Sequence, residues 1–263
     1  MSSSRLIGLL GIPAVVVSFF LFAAASQKPP KPLTEHPRYK KWPITDSEKP
    51  EPSDPEAKKI RKARGDRFGL RDRARDPRRF AITEERESVF GSPPTHAPIQ
   101  PALPVAESSA IVIADIKSAE AFLSTDQTAI YSEFSLAVRE LIHSSSPEIG
   151  AGSLVTAVRG GGGVRFPSGK IVLRGHDAAP LPNVESRYVF FLKGVNSNQY
   201  FDIVTAYEIR NGKVFPLDGG GPDGYQFPEY AGHRRFTGMD ETAFLYFVRE
   251  ALQASADTPE GVR

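Results

Sequence analysis

The order of apolar and polar positions divides this chain into three stretches. Leu6–Ala25 (LIGLLGIPAVVVSFFLFAAA) carries no charge on any side. Lys28–Pro104 shows no sustained apolar period. From Val105 onward, short apolar and alternating runs separated by turn residues predict strands, and one run at helical spacing closes the chain. AIVIADIKSA (Ala110–Ala119) is apolar and β-branched. Ile130–Leu141 alternates and pairs naturally with Ile111–Ile116 across the polar turn STDQT; Phe134, Val138 and Leu141 also fall at helical spacing, but strand is the better reading. SLVTAVR (Ser153–Arg159) is a third strand. Ser168-Gly169 punctuates a hairpin in VRFPSGKIVL, and Asn211-Gly212 another between Phe201–Ile209 and Lys213–Leu217, because both of its residues accept the positive φ of a type I′ turn. In Ser186–Val195, Tyr188, Phe190 and Leu192 point one way while Val189 and Phe191 point the other. Both faces are apolar, so this strand is expected to be buried and central.

Phe244, Leu245, Phe247, Val248, Ala251 and Leu252 form an apolar stripe at a period of 3.6 and predict a helix packed on the sheet. Thr237 is its expected cap, with Asp240 three residues on. The expected fold class is therefore mainly β: a small antiparallel OB-like barrel with one C-terminal packing helix, spanning 105–254, with a frayed tail at 255–263. About 150 residues suffice to bury a core unaided.

The first stretch changes the picture most. Twenty helical residues span roughly 30 Å, the thickness of a bilayer's hydrocarbon core. Arg5 before the apolar run and Ala23-Ala24-Ala25 at its end also give it the parts of a secretory signal. Residues 1–27 read as a signal peptide or an uncleaved signal-anchor, with Leu6–Ala25 as the contact with the membrane. Lys28, Lys31, Arg38, Lys40 and Lys41 follow the run, which by the positive-inside rule holds the remainder in the cytoplasm. An apolar segment at the extreme N-terminus is an export signal, and large domains translocate despite such charge. The expectation is export: an extracytoplasmic protein, periplasmic or secreted, or anchored in the inner membrane.

Residues 28–104 hold 14 of the chain's 23 prolines and read as a disordered, Pro-rich basic linker. Within them Lys58–Phe80 carries eleven Lys or Arg against three Asp, although the whole chain has a net charge of only +2. Such a block suits an anionic surface polymer or lipid headgroup, a nucleic acid, a self-repelling linker, or a short charged helix. There is no cysteine, which excludes a lipid-modified cysteine anchor, disulfides, thiolate metal sites and a cysteine nucleophile.

The segment order has a family likeness. A strand with Ala114-Asp115-Ile116, a long strand ending in VREL (Val138–Leu141), a strand before the glycines, SRYVFFLKG and a final Asn-Gly hairpin resemble an uncharacterised bacterial exported β-rich domain. More distantly, Ala106–Leu217 is similar to the netrin-like domain of tissue metalloproteinase inhibitors. That resemblance implies an OB-fold barrel. The disulfides and N-terminal cysteine of that family have no counterpart here, so it does not extend to protease inhibition.

Candidate chemistry is sparse. Gly160–Gly163 lacks the G-K-[ST] ending of a phosphate loop and leads into a hairpin, so it reads as a flexible strand connection; Arg159 and Arg165 flank it as anion-binding candidates. His233, Arg234 and Arg235 are a second such cluster. Asp218–Gly224 lacks the alternating ligands of a calcium loop and reads as a surface turn. His36, His96, His143, His176 and His233 show no zinc-helix spacing, and no G-x-S-x-G accompanies His176-Asp177. Tyr188, Phe190, Phe191, Phe201, Tyr207 and Phe215 read as core. No catalytic residue, metal or cofactor is expected. The leading expectation is a non-catalytic binding or structural module whose partner is an envelope protein or an anionic surface polymer. The rivals are a cytoplasm-facing nucleic-acid binder and a hydrolase with a loop-built site, which requires His176, His233 and an acidic residue to converge in a cleft.

Overall fold

Residues 36–69, 80–91, 99–145, 147–195, 200–221 and 224–257 are described by the computed structural model. Leu6–Ala25, residues 70–79 of the basic block and residues 258–263 of the tail lie outside them. No helix among the described residues is long and apolar enough to cross a membrane.

The fold is mainly β. Strands β1 (Ile44–Asp46) and β2 (Val89–Gly91) come from the region expected to be a linker, with helix α1 (Pro55–Phe68) between them. The domain proper supplies β3 (Ala110–Leu123), β4 (Ile130–Ser144), β5 (Leu154–Gly160), β6 (Gly162–Arg165), β7 (Ile171–His176), β8 (Arg187–Val195), β9 (Tyr200–Arg210), β10 (Lys213–Pro216) and β11 (Met239–Asp240). Helix α2 (Glu241–Ala256) ends the described chain. Seven strands form one sheet in the order β11-β10-β9-β5-β4-β3-β8, and β8 also pairs with β9. The strands β3, β4, β5, β9 and β8 thus close a ring. Every pairing in that ring is antiparallel except β5 with β9.

Burial follows the alternation. Tyr188, Phe190 and Leu192 enter the core inside the ring, with Phe134, Leu136 and Phe201 among its other members. Val189 and Phe191 enter a second core against Phe244, Leu245 and Val248 of α2. All five residues of β8 from Tyr188 to Leu192 are fully buried, which is why both faces of that strand are apolar. The Asn211-Gly212 turn has φ of 51° and 70°, as type I′ geometry requires.

The structure corrects expectations about the C-terminal helix, the linker and the glycine run. The cap of α2 is Asp240, whose Oδ1 accepts from the Thr242 and Ala243 amides, rather than Thr237; Gly238, with φ of 75°, turns the chain between them. The helix continues to Ala256, so residues 255 and 256 are helical rather than frayed, and Phe247 faces solvent instead of the sheet.

The second correction concerns the linker. Asp54 Oδ2 accepts from the Ala57 amide at 2.9 Å and Pro55 occupies the first turn, so the Pro-rich segment starts a helix here. β1 runs parallel to β6, and β2 parallel to β7, so this segment adds a strand to each side of the β6–β7 hairpin. Tyr39, Trp42 and Ile82 are buried. The Trp42 ring lies directly over Gly175, where no side chain fits beneath it. Apolar anchors spaced too widely to form a period supply the burial.

The third correction is the glycine run. Gly161 and Gly162 have φ of 123° and 140°, and a Cβ at Gly162 would lie 2.9 Å from Ile130 and 3.0 Å from Ser132. The run is a tight crossing over β4, not a flexible connection.

Candidate functional site

Arg159 sits near the end of β5 and Asp218 just after β10. Arg159 Nη2 donates to Asp218 Oδ1 at 2.5 Å, with only 9% of the Arg159 side chain and 1% of the Asp218 side chain exposed. Asp218 therefore anchors a packed turn, not a surface one. Gly219, with φ of 91°, presses against Tyr230 and donates its amide to the Ala178 carbonyl. His233, from the 3₁₀ segment Pro228–Phe236, is 1% exposed and stacks on Tyr207 with 6.0 Å between ring centroids. His176 ends β7. Burial lowers the pKa of both histidines. Arg159 pushes each the same way, whereas Asp218 opposes it in both. Both rings are thus held toward the neutral form beside a buried ion pair.

Arg38 closes this region from the N-terminal side, donating to the carbonyls of Asp177 and Gly220. Burial lowers its pKa against the pull of Asp177 and Asp218. Tyr39 Oη donates to Asp177 Oδ1 at 3.2 Å. Arg159 Nη1, Asp218 Oδ2, His176 Nδ1 and His233 Nδ1 are buried and make no hydrogen bond among the described residues. Neither of those two Nδ1 atoms therefore has a carboxylate partner among the described residues. No group of three or more His, Asp or Glu among the described residues is arranged to hold a metal ion.

The anion-binding candidates thus divide. Arg159 is matched by Asp218, and buried His233 lies within reach of the charges of both. Arg165 lies on β6, in the other sheet, 3.6 Å from Asp46. Arg234 and Arg235 face solvent, and the Arg235 guanidinium lies 4.5 Å from the Phe236 ring centroid. The aromatic residues of β8 and β9 are core, as expected.

A second site was not read from the sequence because it joins segments far apart in the chain. Helix α1 docks on β4 and β9. Arg64 Nη1 donates to Glu133 at 2.5 Å, Arg67 forks onto Asp202, and Phe68 stacks on Tyr131 with ring centroids 4.7 Å apart and planes 4° apart. The Asp202 hydrogen bond raises the Arg67 pKa, and burial above all raises that of the Tyr131 phenol. Lys58 pairs with Glu51, Lys59 with Glu56 and Lys62 with Asp66. Much of the described basic block is therefore matched within the protein. Gly65 lets the helix touch the β3–β4 turn, since a Cβ there would lie 2.7 Å from Thr125 Oγ1. Between that turn, α1 and the segment after β1 lies a half-enclosed cavity of about 350 Å³.

Neither the protein-family models nor the curated proteins compared with this chain give a match.

Proposed function

We propose that this chain is a non-catalytic binding module of the cell envelope: an OB-like barrel that works outside the cytoplasm, exported or held at the membrane by Leu6–Ala25. The observation that carries the reading is the strand ring. Five strands in the cyclic order β3-β4-β5-β9-β8, with β5 and β9 the one parallel pair, match the strand number of an OB barrel, a scaffold that binds ligands between its loops and on one strand face. The cavity at the β3–β4 turn lies at such a loop. The burial of Asp218 and His233 favours a structural clamp over hydrolysis, since both are withdrawn from solvent and Asp218 already holds Arg159. The partner class is an envelope protein or an anionic surface polymer.

Fusing alkaline phosphatase after the last residue of the full chain, and a fluorescent protein in a parallel fusion, tests the location. In a bacterial host the phosphatase is expected to be active and the fluorescent fusion dark. A dead phosphatase with a bright fluorescent fusion places the barrel in the cytoplasm and overturns the proposal.

A further inference from the structure

We propose that the cavity between α1 and the β3–β4 turn binds a phosphorylated sugar or polyol, its phosphate held on Arg61 and flanked by Lys49 and Lys62. The inference rests on the binding-module reading and names the ligand chemistry of its loop site. The cavity, about 350 Å³, falls within the range of small-ligand pockets. Its lining holds four cations, Lys49, Lys58, Arg61 and Lys62, against two carboxylates, Asp46 and Glu51, an excess of two positive charges.

These cations are not equally engaged. Lys58 is neutralised by Glu51 inside the lining, whereas Lys49 and Lys62 turn to Glu120 and Asp66 outside it. Arg61 has no carboxylate within ion-pair distance among the described residues. Its guanidinium lies 4.3 Å from the Phe122 ring centroid, and Lys49 Nζ lies 5.1 Å from the same ring. Partial burial, and after it the neighbouring Arg61, lower the Lys49 pKa, while Asp46 and Glu133 oppose the shift. A phosphate supplies the anionic partner that Arg61 lacks among the described residues, and the planar arginine fork matches its oxygens two at a time. The rest of the lining suits hydroxyl groups: Asp46 and Glu51 accept from them, and Ser47, Thr125 and Gln127 accept or donate. Phosphate and hydroxyls together describe a sugar or polyol phosphate better than a bare anion.

The cavity is also built to hold its shape. Ser124 Oγ accepts from the Thr128 and Ala129 amides and donates to Asp126 Oδ1, which fixes the turn, and Gly65 clamps the helix onto it.

Calorimetric titration of the full chain in detergent solution, with glucose 6-phosphate as probe and glucose and inorganic phosphate as its two halves, decides the matter. Glucose 6-phosphate is expected to bind more tightly than either half, and to weaken as sodium chloride rises from about 0.15 to about 0.5 M. Arg61→Gln and Lys49→Gln should each weaken it about ten-fold or more. Arg249→Gln, on the remote helix α2, should leave it unchanged. If Arg61→Gln does not fold, Lys62→Gln, whose ammonium is exposed, takes its place with a smaller loss. A glycerol phosphate polymer distinguishes the source: binding with the same variant sensitivity marks a polymer repeat, and binding of glucose 6-phosphate alone marks a free metabolite. No heat with any phosphate probe, glucose binding as tightly as its phosphate, or affinity unchanged in the Arg61 and Lys49 variants overturns the proposal. The titration is blind to cellular location, so its failure and that of the phosphatase fusion are separate results.

Discussion

Replacing Asp218 by alanine removes the carboxylate that faces Arg159 and leaves a guanidinium in a place nearly closed to water. The magnitude follows from the burial. With only 9% and 1% of the two side chains exposed, solvent screens the pair little, and removing one partner of such a pair costs about 3–5 kcal/mol. Arg159→Ala is expected to cost a similar amount, because Asp218 is then the orphan. The double variant removes both charges at once. Its cost should fall short of the sum of the singles by about 2–3 kcal/mol, the coupling expected of contacting groups. Trp42, the single tryptophan, is 4% exposed and reports unfolding by its fluorescence in urea. At a denaturant slope of about 2–3 kcal/mol per molar, Asp218→Ala should lower the midpoint by about 1–2 M with the slope unchanged. A loss below about 1 kcal/mol, or additivity in the double-mutant cycle, would falsify the view that this pair is desolvated and clamps the turn after β10.

Further expectations concern the whole domain. His176 and His233 both have lowered pKa values, so the unfolded chain takes up their protons first as pH falls; stability should be level above about pH 6.5 and decline below it, with buried His233 contributing a slope of up to about 1.4 kcal/mol per pH unit. Urea midpoints across that range, compared with His233→Gln, check this, and a midpoint that rises on acidification contradicts it. A chain beginning at residue 105 lacks Tyr39, Trp42, Ile82 and both parallel edge strands, and should unfold at lower temperature than one beginning at residue 36; equal melting temperatures would show that residues 36–91 add nothing. Gly162→Val places a branched side chain at φ of 140° against Ile130 and Ser132, and should cost about 2–4 kcal/mol, read by the same fluorescence assay. Arg64→Ala removes the Glu133 pair and the cation–π contact with Tyr200, and should hasten tryptic cleavage within α1; an unchanged cleavage rate would mean that the helix docks without it.

The strands were legible because their signal is local. Alternation in Ile130–Leu141, the two apolar faces of Tyr188–Leu192 and the positive φ of Asn211-Gly212 each depend on a few neighbouring residues, and those neighbours suffice to set the conformation. The start of α1 was equally local, in Asp54-Pro55, but the surrounding prolines and the lack of an apolar stripe concealed it. That helix is held by arginine–carboxylate pairs and by Phe68 on Tyr131, contacts that leave no periodic trace. The same holds for residues 36–46, where Tyr39 and Trp42 are buried by meeting Phe90 and Gly175 from far along the chain.

Sequence alone determined the β-rich class, most strand positions, the two-faced burial of β8 and the stripe that seats α2, because side-chain direction in a regular element follows from its period. It also marked Leu6–Ala25 as an apolar span. Tertiary structure decided the closure of five strands into a ring, the two edge strands contributed by the N-terminal segment, the burial of Asp218 against Arg159, and the gathering of Lys49, Arg61 and Phe122 around one cavity. Each of these joins residues distant in the chain. Their energies come from desolvation and charge pairing between groups that only the completed fold brings together.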